Sequence, residues 1–190
     1  MGKISNFSGV LKERNAPTSI MKIGLLSDTH SYLDPRVFEH FKECDEIWHA
    51  GDIGAPAVAD ALEKFKPLRA VYGNIDDKTI QARFPEDLRF HCEELTVWMT
   101  HIGGTPPHYN SRIKKGLAEN TPDIFICGHS HILQVKRDAG SNNMLFLNPG
   151  AAGNHGFHAI KTLLRFEILK KDIRNMEAIE LGKRGQLSDV

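Results

Sequence analysis

The chain has 190 residues, of which 41% are hydrophobic, and its 24 basic side chains balance 24 acidic ones. This length can bury one substantial core, so we expect a single domain rather than two small ones. No stretch approaches the roughly 18–20 apolar residues of a membrane span, and the balanced charge gives no sign of electrostatic binding to nucleic acid or to a membrane surface. We therefore expect a soluble protein.

The cysteines and the termini give further expectations. Cys44, Cys92 and Cys127 lie far apart among apolar neighbours, which favours reduced, buried thiols and a cytoplasmic location. The first residues carry Lys and Arg but lack the apolar core and the cleavage site of a secretory signal. We interpret residues 1–20 as an N-terminal extension, 21–182 as one domain and 183–190 as a solvated tail.

The first half of the chain alternates predicted strands and helices. Lys22 to Leu26 is a short apolar run typical of a buried strand, and a helix follows from Pro35, where "PRVFEHFKEC" has apolar residues at helical spacing. The order then repeats, with "DEIWHAGD" as a strand, "PAVADALEKF" as a helix and "LRAVYGN" as a third strand. Such alternation indicates a parallel sheet.

The second half is rich in predicted strands. The segment "LRFHCEELTVWMTH" is typical of two strands joined at Glu93 and Glu94, and "SRIKKGLAEN" of a helix. Up to five more strands follow, in "DIFICGHSH", "ILQVKRD", "NMLFLNPG", "TLLRFEIL" and "IRNMEAIEL". Short connections favour antiparallel additions, so we expect two sheets packed face to face with helices outside. Trp48 and Trp98 lie within strands and are predicted core residues.

Five predicted strands end in side chains of types that bind metal ions. Taken alone, each is more typical of a turn or a helix cap. The carboxyl ends of parallel strands, however, lie along one sheet edge, where ligands bind. Together these side chains predict a metal site. They are Asp28, His30, Asp52, Asn74, His101, His129 and His131.

The spacing and the chemistry of these side chains indicate how they would be used. In extended backbone, residues i and i+2 point the same way, so we predict that Asp28 and His30 face one site, as do His129 and His131. Carboxylate, amide and imidazole groups together suit Mn²⁺, Fe²⁺, Zn²⁺ or Ni²⁺, of which Mn²⁺ is our first choice. Seven donors exceed the needs of one ion, which predicts two ions about 3.5–4 Å apart that share a carboxylate.

The order of these motifs resembles that of the calcineurin-like metallophosphoesterases. Asp-x-His, Gly-Asp, Gly-Asn, Thr-His and Gly-His-x-His follow one another between Ile23 and about Gly150, and the "NPG" at Asn148 is similar to that of the small YfcE-type phosphodiesterase branch. The resemblance implies a four-layered αββα sandwich, with two mixed β-sheets flanked by helices. It also implies one ion held by Asp28, His30, Asp52 and His131, and a second held by Asp52, Asn74, His101 and His129.

The implied activity is the hydrolysis of small phosphodiesters by a hydroxide that bridges the two ions, with Asp52, Asn74 and His101 as catalytic residues. Many members of the superfamily continue Gly-Asn with a His that assists the leaving group, whereas this chain has Ile75 there. An Ile side chain cannot transfer a proton. We therefore predict poor turnover of esters with basic alkoxide leaving groups and better turnover of activated phosphodiesters.

Two loops carry further candidates. The segment "GGTPPHYN" places His108 or Tyr109 where either could contact a substrate phosphate, although an exposed loop histidine is the more ordinary interpretation. His155 and His158 have an i, i+3 spacing that a metal could use, but loop hydrogen bonding is the preferred interpretation.

Other functions compete with hydrolysis. The same fold, with degraded metal ligands, forms a scaffold subunit in membrane-trafficking complexes, so a catalytically weak or inactive binding protein is the main alternative. A metal store or sensor would bind ions without turnover. The expected partner is a small-molecule phosphodiester, with no nucleic-acid or membrane signal, and a homo-oligomer is possible.

Overall fold

We describe residues 20–185 in a computed structural model of the chain. Most of the predicted N-terminal extension, and residues 186–190 of the predicted tail, lie outside the described residues. The strands are β1 (Met21–Leu26), β2 (Glu46–His49), β3 (Leu68–Ala70), β4 (Asp87–Cys92), β5 (Leu95–Thr100), β6 (Gly104–Thr105), β7 (His108–Tyr109), β8 (Ile124–Ile126), β9 (Leu133–Asp138), β10 (Met144–Pro149), β11 (Ile160–Leu169) and β12 (Asp172–Lys183). The helices are α1 (Arg36–Phe41), α2 (Pro56–Phe65), α3 (Lys78–Arg83) and α4 (Ser111–Glu119). None of these helices is long and apolar enough to cross a membrane.

Two five-stranded mixed sheets form the centre of the structure, as the sequence predicts. The first has the order β12-β11-β1-β2-β3, in which β1, β2 and β3 are parallel and the two late strands are antiparallel additions. The second has the order β4-β5-β8-β10-β9, in which β5, β8 and β10 are parallel. The carboxyl ends of the parallel strands are therefore the ends that carry the predicted ligands.

A hydrophobic core fills the space between the two sheets. Leu25 and Trp48 on the first sheet share one buried cluster with Val97 and Ile126 on the second, and none of the four is more than 1% exposed. These residues come from the apolar runs that directly precede the polar strand ends. Burial of each run therefore fixes where its polar end emerges.

Helices cover the outer face of each sheet, which completes the four-layered αββα sandwich. On the first sheet, Phe41 of α1 and Leu62 of α2 share a buried cluster with Ile47 of β2. On the second sheet, Ile113 of α4 shares a separate cluster with Phe125 of β8. The predicted fold class is thus confirmed.

Three local features differ from the prediction or were not predicted. Helix α3 is too short to show a hydrophobic period, and it is capped by Asp77, whose carboxylate accepts hydrogen bonds from the backbone N–H groups of Thr79 and Ile80. The "GGTPPHYN" segment forms the small hairpin β6–β7 rather than an irregular loop. Strand β12 includes Lys183, which pairs with Ile160 although the prediction assigned it to the tail.

The three cysteines are buried free thiols, as expected. Burial raises the pKa of Cys44 to about 11 and the pKa of Cys92 to about 12. These thiols therefore stay protonated at neutral pH, so they are not suited to nucleophilic catalysis.

A buried ion pair ties the segment after His30 to strand β11. Lys161 Nζ lies 2.7 Å from Asp34 Oδ2, and both side chains are fully buried. Asp34 also accepts hydrogen bonds from the half-exposed Arg36. Because Lys161 has no access to water, its charge depends on Asp34 for compensation.

We expect Asp34→Ala to lower the free energy of unfolding by about 3–5 kcal/mol, because it leaves the Lys161 ammonium buried without a counter-charge. Urea denaturation measures this loss. Arg36→Ala is the matched control and should cost less than about 1 kcal/mol, since Lys161 keeps its partner. Equal losses in the two variants would contradict the assignment.

Candidate metal centre

Six of the seven predicted ligands lie in two compact groups at the strand ends. The donor atoms of Asp28, His30 and His131 lie within 4.8 Å of one another, and so do those of Asp52, His101 and His129. Each group draws on both sheets, because β1 and β2 belong to the first sheet whereas β5 and β8 belong to the second. Residues up to 103 positions apart along the chain, Asp28 and His131, therefore meet at one edge.

Donor atoms in the first group point at one another. His131 Nε2 lies 3.1 Å from Asp28 Oδ1 and 3.3 Å from His30 Nε2. Ligands bound at about 2.0–2.2 Å to one ion are separated by roughly 3.0–3.6 Å, so this spacing suits a coordination shell. Burial lowers the pKa of His30 despite the opposing charges of Asp52 and Asp28, which keeps its imidazole in the neutral, ligand-competent form.

Asp52, a member of the second group, presents one carboxylate oxygen to a histidine of each group. Its Oδ2 lies 3.6 Å from His30 Nε2, and its Oδ1 lies 3.2 Å from His101 Nε2. Burial raises the pKa of the Asp52 carboxyl, but His101, the Ile75 N–H and His30 together lower it by more, so the group is ionised at neutral pH. A carboxylate in this position can bridge two cations.

Asn74, the seventh predicted ligand, follows β3 in a turn that wraps around Asp52. The backbone N–H of Ile75 donates to Asp52 Oδ1 at 3.1 Å, and a Cβ atom at Gly73 would lie 2.0 Å from the same oxygen. Asn74 lines a cleft of about 180 Å³ together with His101 and Ile102. Only glycine at position 73 allows this close approach.

The backbone at the candidate ligands is not extended. The prediction that an extended i, i+2 spacing aligns Asp28 with His30, and His129 with His131, is therefore wrong. Asp28 and His30, which belong to one donor group, both adopt left-handed conformations beyond the end of β1. His129 and His131 are also left-handed beyond β8, but they contribute to different donor groups. Left-handed φ values are found at Asp28 (56°), His30 (47°), Asp52 (55°), His129 (66°) and His131 (57°). Such conformations cost about 1–3 kcal/mol each and cluster at functional sites.

Hydrogen bonds between neighbouring strand ends stabilise these left-handed turns. The backbone N–H of Asp28 donates to Gly51 O, and that of His30 donates to Asp52 O, both at 3.0 Å. The N–H of His129 donates to Asp28 Oδ2 at 3.1 Å, which links the two sheets. The turns thus depend on one another.

Among residues 20–185, three buried side-chain atoms have no hydrogen-bond partner, namely Asn154 Oδ1 and two atoms of the predicted ligands, Asp28 Oδ1 and His101 Nε2. A buried polar atom without a partner is costly, and in native proteins it usually has an ion, a water molecule or a function to account for it. Asp28 Oδ1 and His101 Nε2 both face the two groups described above. The donor set therefore fits divalent cations.

The tautomer of His101 also fits a ligand role. His101 Nδ1 lies 2.8 Å from the carbonyl oxygen of Ala50, which can only accept, so Nδ1 carries the proton and the Nε2 lone pair faces the site. Burial lowers the pKa of His101, but Asp52, Asp28 and the hydrogen bond to Ala50 O together raise it by more. A bound cation competes with a proton on Nε2.

Sequence reasoning missed a buried network between β1 and β2. His49 is fully buried, its Nδ1 accepts a hydrogen bond from the Gly51 N–H, and its Nε2 lies 3.0 Å from Thr29 Oγ1. The Thr29 hydroxyl in turn donates to Ile53 O at 3.0 Å. Burial lowers the pKa of His49 to about 4, so the ring is neutral and serves to hold the Asp28 and Asp52 turns together.

Sequence reasoning also missed Asp76, the first Asp of "GNIDD". This side chain is 3% exposed, and its carboxylate accepts hydrogen bonds from the backbone N–H groups of Ile53, Gly54 and Gly73. It joins the turn after β2 to the turn after β3, on either side of Asp52. Its only sequence signal is its position two residues after Asn74.

The candidate substrate contacts on the β6–β7 hairpin differ in accessibility. His108 is exposed, and its role in substrate binding stays a prediction. Tyr109 is buried and donates its hydroxyl to Asp138 at 2.8 Å, so it is not available to a substrate. The predicted core positions of Trp48 and Trp98 are confirmed, since both are buried.

An αββα sandwich with two metal-ligand groups at its strand ends defines a class of metal-binding α/β proteins, and comparison with known proteins identifies the family. The family model for the calcineurin-like phosphoesterase superfamily domain matches residues 21–171. The chain therefore belongs to the calcineurin-like phosphoesterase superfamily, whose members are metal-dependent phosphoester hydrolases.

Curated archaeal relatives carry names that agree with this family. A probable metallophosphoesterase of Methanothermobacter thermautotrophicus is 30% identical over 136 residues, which is 69% of this chain and 77% of that protein. A phosphodiesterase of Methanocaldococcus jannaschii is 23% identical over 172 residues, which is 82% of this chain and 98% of that protein.

Solved structures share the fold. The Thermotoga maritima solution structure is 25% identical with a TM-score of 0.64, and the match covers 85% of this chain and 99% of that one. Wild-type Vps29 from Entamoeba histolytica, in complex with zinc, is 18% identical with a TM-score of 0.65, and the match covers 84% of this chain and 99% of that one. The second likeness shows the fold alone.

Proposed function

We propose that this protein is a dinuclear metal-dependent phosphodiesterase that hydrolyses small phosphodiesters. The observation that carries the proposal is the position of Asp52, whose two carboxylate oxygens face the two separate donor groups. One ion would be held by Asp28, His30, Asp52 and His131. The other would be held by Asp52, Asn74, His101 and His129.

The bound ions would supply an activated water and offset the negative charge of the phosphoryl oxygens. The chain's own contribution is to fix the donors before the ions arrive. Asp28, Asp52 and His101 are almost fully buried and held by neighbouring strand ends, so little reorganisation is needed on binding. Mn²⁺ is our first choice for both ions, with Fe²⁺, Zn²⁺ and Ni²⁺ as alternatives.

The surroundings of Asn74 support small diesters as substrates. The cleft beside Asn74 and His101 is lined by Tyr72, Ile102 and Glu86 and has a volume of about 180 Å³. Ile75 and Ile102 are 45% and 41% exposed at the strand ends and supply no proton donor for a leaving group. This favours diesters with good leaving groups.

We regard the scaffold alternative as the weaker candidate. A protein that only binds partners does not need Asp28 Oδ1 and His101 Nε2 to be buried without partners, nor the left-handed turns that aim the donors. The likeness to Vps29 bears on the fold and not on the role. A small-molecule substrate, a cytoplasmic location and a possible homo-oligomer complete the proposal.

The proposal predicts metal-dependent hydrolysis of an activated diester. Chelator-stripped protein should cleave bis(p-nitrophenyl) phosphate after Mn²⁺ is restored, and should cleave p-nitrophenyl phosphate more slowly. Parallel assays with Zn²⁺, Ni²⁺ and Mg²⁺ rank the metals. A folded protein that binds the ions and cleaves neither ester would favour a metal store or a binding protein instead.

A further inference from the structure

His158 contacts a predicted ligand from outside the two donor groups. It lies between β10 and β11, and its Nδ1 is 3.2 Å from Nδ1 of His131. Its other ring nitrogen, Nε2, is 3.0 Å from the carbonyl oxygen of Gly153. The two rings are 5.1 Å apart at their centroids with an interplanar angle of 73°.

These contacts determine where the ring protons lie. A carbonyl oxygen only accepts, so His158 Nε2 carries the proton, and a neutral His158 ring then has a lone pair on Nδ1. His131 Nδ1 must donate its proton to that lone pair. The His131 Nε2 lone pair is consequently left to face Asp28 Oδ1 and His30 Nε2.

We propose that His158 is a positioning residue that fixes the tautomer and ring orientation of His131, so that Nε2 of His131 is ready to bind one ion. The proposal rests on the two-ion centre proposed above. The carbonyl oxygen of Ala50 accepts from Nδ1 of His101 and so leaves its Nε2 free for the site. His158 would do the same for His131, with a side-chain nitrogen as the acceptor.

The backbone around His158 is built for this contact. Gly156 has a φ of 118°, and a Cβ atom at this position would lie 2.1 Å from His131 Nδ1. Arg184 donates hydrogen bonds to the carbonyl oxygens of His158 and Ala159, which ties the loop to the end of β12. Arg184 thus anchors the backbone that carries His158, and Gly156 leaves room for the His131 ring.

The tautomer can be read directly in the metal-free protein. Long-range ¹H–¹⁵N correlation spectra at a pH above the histidine range should show the His131 Nδ1–H tautomer in the wild type, with the signals assigned by their loss in His131→Gln. His158→Phe removes the acceptor, so His131 should shift towards the Nε2–H tautomer. His158→Asn can place an amide oxygen near the former Nδ1 and should restore the Nδ1–H form.

Metal affinity is the second readout. Mn²⁺ titration against a competing chelator should show that His158→Phe weakens one of the two sites by about 10- to 100-fold and leaves the other within about threefold. His158→Asn should recover most of the loss. His91→Phe, at an exposed position on β4, is the matched control and should bind like the wild type.

An unchanged His131 tautomer or an unchanged Mn²⁺ affinity in His158→Phe overturns the proposal. If that variant does not fold, His158→Gln gives the same test, because Gln reaches towards Gly153 but places no acceptor near His131 Nδ1. Neither readout uses turnover. If the wild-type protein binds two ions but cleaves no diester, the proposed hydrolysis is wrong. The test of His158 is unaffected, because it measures the His131 tautomer and metal affinity.

Discussion

Asp52→Asn is expected to reduce metal-dependent diester hydrolysis by about 10³-fold or more. The substitution keeps the size of the side chain but removes its charge and turns one oxygen into an N–H donor. Because the two oxygens of Asp52 face different donor groups, one ion should lose its oxygen ligand and the other should keep only a neutral amide oxygen. Steady-state kinetics with bis(p-nitrophenyl) phosphate and the Mn²⁺ stoichiometry at equilibrium measure the two effects.

The matched control for this variant is Asp172→Asn. Asp172 lies at the exposed start of β12, where its carboxylate pairs with the side chain of Arg174, so its loss should leave the rate and the stoichiometry unchanged. Thermal unfolding of both variants confirms that they fold. An Asp52→Asn protein that retains two ions and a rate within about threefold of the wild type would contradict the bridging role.

The convergence of the candidate ligands could be predicted from the sequence, because burial of the apolar runs determines where the polar strand ends lie. Each apolar run forms one strand of a sheet, and the polar residue that follows it is carried to the sheet edge, as with Leu26 and Asp28 or Ile126 and His129. The alternation of strands and helices predicted the parallel strands, and the strand-rich second half predicted the antiparallel additions. These features depend on local pattern.

The geometry of the turns could not be predicted in this way. The left-handed conformation of Asp28 goes with its hydrogen bond to Gly51 O, and that of His30 with its hydrogen bond to Asp52 O. Both acceptors lie on the neighbouring strand end, more than twenty positions away in the sequence. A local pattern carries no information about such contacts, so it favoured extended backbone, which any residue can adopt.

The supporting residues were missed for a related reason. His49 lies within an apolar strand, and Asp76 lies in a polar turn, so neither stands out by type or spacing. Their importance comes from burial, because Asp76 satisfies three backbone N–H groups on two different turns. Residues that orient ligands are recognised only when their partners are known.

The missing leaving-group acid gives the last prediction. Ile75 is 45% exposed, and its backbone N–H donates to Asp52 Oδ1, so a side chain at this position starts next to the candidate bridge. We expect Ile75→His to raise kcat/KM for alkyl phosphate esters by at least about tenfold, since general acid catalysis is worth about 10²- to 10⁴-fold when well aligned. Hydrolysis of bis(p-nitrophenyl) phosphate should change little, because p-nitrophenolate leaves without a proton.

The pH profile separates proton transfer from a change in polarity. The rate gained by Ile75→His should fall as the pH rises through the imidazole pKa, near about 6.5 for an unperturbed histidine, because only the protonated ring can donate. Ile75→Gln is the control, since it is polar and cannot act as an acid in this range. If Gln gives the same gain as His, or if the gain persists at high pH, position 75 does not supply a proton to the leaving group, and the poor turnover predicted for alkyl esters has another cause.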